Sequence, residues 1–90
     1  MELEHKLKRC KIVFHPNTVK ILLILKKFRE GLCFTELMLS LRMNPSVLSR
    51  YIRHLMEIGA VKKYDGRYVV TEKGVELFSR IEKVFEVLDE

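Results

Sequence analysis

The sequence has no tryptophan, only two cysteines, and no apolar run longer than the five residues from Ile21 to Leu25. A bilayer span takes about 20 apolar residues, so no membrane crossing is expected. The first nine residues are too charged for a secretory signal, which leaves the cytoplasm as the expected compartment. Cys10 and Cys33 lack CxxC spacing, so the chain offers neither a disulfide framework nor a four-ligand zinc site. Reduced thiols are the default, and Cys33, between Leu32 and Phe34, reads as a small buried hydrophobe. His5, His15 and His54 are scattered, no pair of them has helical ligand spacing, and no Ser, His and acid grouping suggests a nucleophile. An enzyme is therefore not expected, nor a cofactor or metal. Internal repeats and low-complexity segments are also missing.

What is present suits one folded domain. Ninety residues hold a single core, and 48% hydrophobic with 32% charged residues describes an ordinary globule rather than a disordered chain. The net charge of +5 is unevenly spread. Residues 1–30 are net +5, residues 42–67 net +4, and residues 68–90 net −3. A basic middle suits a surface that lies on phosphates, while an acidic end is better kept away from them.

Periodicity and punctuation supply the elements. Leu3, Leu7, Cys10 and Phe14 form one stripe of an amphipathic helix over residues 2–13, although 10–14 also suits an extended run. Pro16 fits a first helical position and excludes His15 from the helix. The helix it opens carries Val19, Ile21, Leu22, Leu23, Ile24, Leu25 and Phe28 on more than one face, with Gly31 as its stop, and is the expected central core helix. Residues 32–34 are long enough only for a bridging strand. Thr35 is the expected cap of a third helix, with Leu37 and Leu41 inward and an end near Arg42. Asn44 and Pro45 then pair a capping side chain with a residue pre-set for the first turn, opening a helix over residues 45–58. Asp65-Gly66 suits a type I′ turn between strands 60–64 and 67–71. In that register Val61 opposes Val70 and Lys63 opposes Tyr68 on one face, while Lys62, Tyr64 and Arg67 project from the other. Thr71 can cap a last helix over residues 72–89.

A rotation of a hundred degrees per residue puts Leu48, Ile52 and Leu55 on one side of the helix at 45–58. Ser46, Arg50, Arg53 and Glu57 fall opposite, flanked by Ser49 and His54. Short hydroxyls near a helix start permit close approach to a groove, and two arginines one turn apart can fork onto guanine edges or phosphates.

The stretch LCFTELMLSLRMNPSVLSRYIRHLMEIGAV, residues 32–61, resembles the helix-turn-helix of ArsR-type and related MarR-type regulators. HPNTVKILLIL at residues 15–25 is similar to the helix that precedes it in that family, and YVVTEKG at 68–74 to the strand-to-helix passage of many winged helices. The resemblance implies a mainly α fold with a small β-hairpin wing, in which residues 15–71 form the winged-helix core between terminal helices at 1–14 and 72–90. It also implies a transcription regulator that binds double-stranded DNA. Ser46, Ser49, Arg50 and Arg53, flanked by His54, would then meet the major groove, and Lys62, Lys63 and Arg67 would form a wing beside the backbone. Thr35 stands where metal-sensing relatives have a second cysteine, so metal sensing is not expected. Arg42 replaces the usual turn glycine, which implies strain or a different turn.

The last helix has Leu77, Ile81, Val84 and Leu88 at a/d spacing, with Val75, Phe78 and Phe85 as a second stripe. One helix with two apolar faces, beside a first helix with Leu3 and Leu7 uncovered, suggests homodimerisation through the termini, as the resemblance also implies, over the alternative that the two terminal helices pack on each other within one chain. The alternative is a winged helix that docks on protein in a larger assembly; it would show an exposed apolar patch rather than a basic reading face.

Overall fold

The computed structural model describes residues 3–4, 11 and 13–89. Leu3, Glu4, Lys11 and Val13 are helical, whereas Leu7 and Cys10 of the expected first helix lie outside the described residues. The named elements are α1 (Pro16–Lys27), α2 (Phe34–Leu41), α3 (Pro45–Glu57), β1 (Val61–Tyr64), β2 (Arg67–Val70) and α4 (Glu72–Leu88).

Each boundary has a local cause. Pro16 stands at the start of α1, and the His15 side chain accepts the Asn17 N–H at 3.1 Å. The helix ends at Lys27, four residues before the expected glycine stop. Gly31 serves a different purpose: at φ 97° a Cβ there would lie 2.9 Å from the Tyr68 carbonyl oxygen. Only glycine lets the chain pass this close to β2, where Leu32 and Tyr68 exchange backbone hydrogen bonds of 3.1 and 2.8 Å. That exchange is the expected bridging strand.

The cap of α2 differs from the expectation. Cys33, not Thr35, is the N-cap, and the Glu36 carboxylate reaches back to accept the Cys33 N–H at 2.9 Å. Cys33 is accordingly half-exposed at a helix start rather than a buried hydrophobe. At the other end Arg42 adopts the left-handed conformation (φ 53°, ψ 43°), and the N–H groups of Arg42 and Met43 both donate to the Met38 carbonyl. This is a Schellman closure with arginine where glycine is usual.

Asn44 caps α3 through a 2.8 Å bond from the Ser46 N–H. The hairpin has the expected register, with Val61 opposite Val70 and Lys63 opposite Tyr68. Asp65 and Gly66 both have positive φ, 51° and 76°, as a type I′ turn requires. Thr71 Oγ1 accepts the Gly74 N–H at 3.1 Å and donates to the Gly59 carbonyl at 2.6 Å, fastening α4 to the end of α3.

The core gathers on α1. Ile21, Leu22 and Leu25 are fully buried against Leu37 of α2, Leu48, Tyr51, Ile52 and Leu55 of α3, Val61 and Val70 of the hairpin, and Phe78 and Ile81 of α4. Leu23 and Phe28 are each about two-fifths exposed, so α1 is covered on most of its circumference but not all. Gly74 is buried where α4 starts against Ala60 and Val70 at the base of the hairpin, and a Cβ would overlap the Ala60 carbonyl oxygen. Close approach, not turn geometry, explains that glycine.

Candidate nucleic-acid interface

The helix α3 divides as its projection requires. Leu48, Tyr51, Ile52 and Leu55 are buried, while Ser46, Ser49, Arg50, Arg53 and Glu57 are exposed. Tyr51 was not legible as a core residue, because the apolar positions around it already completed a stripe without it. Its ring is 6% exposed, and the Arg50 guanidinium lies 5.1 Å from its centroid.

The hairpin stands beside this helix. Tyr68 of β2 shares a groove with Ser49, Ile52, Arg53 and Met56 of α3 and with Phe34 of α2. Lys63, paired with Tyr68, places its ammonium 5.5 Å from the ring centroid. Lys63 therefore extends from the hairpin face turned toward α3, and Lys62 from the face turned away. Arg67 is exposed but partly committed, because Nη1 donates to the Gly31 carbonyl at 3.3 Å. It fastens the loop before α2 to the hairpin in addition to supplying charge.

His54 departs from the expected arrangement. It is half-buried, its Nδ1 lies 3.6 Å from Glu57 Oε2, and it lines a cavity with Val13, Thr18, Leu55, Ile58 and Lys73 of α4. It thus faces the α4 side of the helix rather than the outward face that carries Ser46, Arg50 and Arg53. The physical reason is its angular position, next to buried Leu55, where α4 comes close.

Charge follows the same division. Between residues 42 and 67 six basic side chains face two acidic ones, whereas α4 and its end are net acidic. Glu57 stands on the interface itself, lining the groove with Arg53 and Tyr68. Glu36, at the start of α2, has its carboxyl held below the ordinary range. The Cys33 N–H is the main cause, followed by the Cys33 side chain and the more distant Arg67 guanidinium.

A three-helix core in which the second and third helices are joined by a tight turn, followed at once by a two-stranded hairpin, defines the architecture, and a sequence model of the winged helix-turn-helix matches residues 18–89. The chain belongs to the winged helix-turn-helix family. Comparison with curated proteins and with solved structures returned no match. The winged helix-turn-helix domain points to DNA binding in general. In its terms α2 and α3 are the helix-turn-helix and the β1–β2 hairpin is the wing. Among the described residues, no helix is long and apolar enough to cross a membrane and no cluster of His, Cys, Asp or Glu could hold a metal ion.

Proposed function

We propose that this winged helix-turn-helix protein is a cytoplasmic transcription regulator of the ArsR/MarR type, which places α3 in the major groove of double-stranded DNA and its short basic wing on the backbone. The observation that carries the reading is the exposure of Arg50 and Arg53 on the outward face of α3, with Lys63 lying over Tyr68, which shares a groove with Arg53. Ser46 and Ser49 lie on the same outward side and keep the helix surface low enough to enter a groove. Lys62 and Arg67 add charge along the hairpin, which is too short to probe bases deeply.

The protein acts as a homodimer through its terminal helices in this reading. Val84, Phe85, Val87 and Leu88 are 39–74% exposed at the end of α4, and Leu3 is 67% exposed. Val84, Val87 and Leu88 recur at helical spacing, so they form one stripe that a second copy would cover. Ile81 does not belong to that surface. It is 1% exposed and packs in the chain's own core, and Leu77 is half-buried, so the expected stripe shrinks to its last turns.

Fluorescence anisotropy tests the reading, using a duplex enriched from a randomised pool and a scrambled duplex, each at several salt concentrations. Tighter binding to the enriched duplex, weakening linearly in log salt, is expected. An absence of DNA affinity at low salt would refute it and favour the protein-docking alternative.

A further inference from the structure

The two arginines on the outward face of α3 are not held alike. Arg53 has no hydrogen bond or ion pair to another described residue. Arg50 lies over the neighbouring tyrosine: Nη2 donates to the Tyr51 hydroxyl at 3.5 Å, and the guanidinium carbon is 5.1 Å from the ring centroid. Tyr51 is itself fixed, because its ring belongs to the core cluster and packs at 4.9 Å, tilted 34°, against the His15 ring. His15 is fixed in turn by its cap, with Nδ1 accepting the Asn17 N–H at the start of α1. The contacts run in one line from the α1 cap through two rings to a guanidinium.

A free arginine loses much rotamer freedom when it forks onto a base or phosphate, whereas a guanidinium already stacked and hydrogen-bonded loses less. We propose that Tyr51 is a positioning residue that presents the Arg50 guanidinium to DNA in a fixed direction, with His15 backing its ring. The proposal rests on the reading of α3 as the groove-entering helix. Tyr51 touches no nucleotide in this arrangement; it acts through Arg50.

A double-mutant cycle tests it, with the ratio of affinities for the pool-enriched and scrambled duplexes as readout. Tyr51→Phe keeps the buried ring and removes only the hydroxyl acceptor, and its unchanged thermal melt certifies the fold. It should lower the ratio about threefold to tenfold in the native background and by less than about 1.5-fold in an Arg50→Ala background. Combined with Arg53→Ala, the same substitution should act additively. His15→Asn supplies another capping side chain but no ring, and should lower the ratio about twofold. A loss in Arg50→Ala with none in Tyr51→Phe, or equal Tyr51→Phe losses in both backgrounds, overturns the proposal and leaves the functional reading standing. No loss in Arg50→Ala itself also overturns the proposal, whereas the functional reading falls only if the native chain lacks DNA affinity at low salt. An unchanged ratio in His15→Asn removes His15 from the mechanism.

Discussion

The helix α3 of the helix-turn-helix and the terminal helix α4 are both amphipathic, yet their outer faces have opposite chemistry. Outward on α3 stand hydroxyls, arginines and a glutamate. Outward on the last turns of α4 stand Val84, Phe85, Val87 and Leu88. A polar outer face is at home in water and needs no partner, so its basic excess is informative about phosphates. An apolar outer face costs free energy in water in proportion to its area, at roughly 25 cal/mol per Å². The difference separates two kinds of exposed surface within one chain: one suited to an anion and one suited to another apolar surface.

The sharpest break of that comparison lies within α4 itself. Ile81→Ala should cost about 2–5 kcal/mol in urea unfolding, since its side chain is buried in the core and leaves a cavity. Leu88→Asp, at a position 74% exposed, should change monomer stability by no more than about 0.5 kcal/mol. Light scattering at micromolar concentrations should show a dimer for the native chain and a monomer for Leu88→Asp. A native monomer at those concentrations would remove the dimer from the proposed function.

On α3 and the wing the expected effects are smaller and differ in kind. Arg53→Ala should cost roughly 1–3 kcal/mol on the enriched duplex, with less loss on scrambled DNA. Lys63→Ala should weaken both duplexes alike and lower the log-log salt slope by about one per protomer. Equal losses for Arg53→Ala on the two duplexes would show that it positions rather than reads.

Much of the fold was legible because its signals are local. Asn44-Pro45 and Asp65-Gly66 constrain their own backbone, so the start of α3 and the turn of the wing followed from two residues each. What could not be read depends on neighbours distant in sequence. Periodicity placed Ile81 on a stripe but could not say that the chain's own core covers that part of it. The role of Gly74 is set by the Ala60 carbonyl, that of Gly31 by β2, and the bond from Arg67 to the Gly31 carbonyl spans thirty-six residues. At α2 the difficulty was chemical. Threonine is the common cap and cysteine is not, yet Glu36 three residues after Cys33 was the available sign of a reciprocal cap. His54 shows that a helical projection locates a flank without revealing which neighbouring helix approaches it.

The two ends of α2 refine the comparison further, since the caps at both hold the helix-turn-helix in shape. Arg42 is held left-handed at the turn, a conformation that costs a residue with a Cβ about 1–2 kcal/mol. Glycine removes that cost but loses more freedom on folding. Arg42→Gly should therefore stabilise the domain by only about 0.5–1 kcal/mol in thermal or urea unfolding. A destabilised variant would mean that the exposed Arg42 side chain contributes more than its backbone costs.

The smallest effect is expected at the other end of α2, where it depends on pH. The Glu36 carboxyl is held below its ordinary range, chiefly by the Cys33 N–H that it accepts. A carboxyl whose pKa is lower in the folded state stabilises the fold at pH values above the unfolded pKa, and that contribution fades as pH falls through the folded pKa. Glu36→Gln retains an oxygen that can accept the same N–H but removes the charge and its favourable placement in the first turn of α2. The native protein should therefore melt slightly higher than Glu36→Gln at pH 7, and the gap should close in acid, below the ordinary carboxylate range. The gap should also narrow in high salt, because Glu36 is exposed and its attraction to Arg67 is screened. Melting curves at pH 7 and pH 3, with and without added salt, measure all of this. A gap that persisted unchanged at pH 3 would show that the glutamate stabilises α2 through packing rather than through its charged cap.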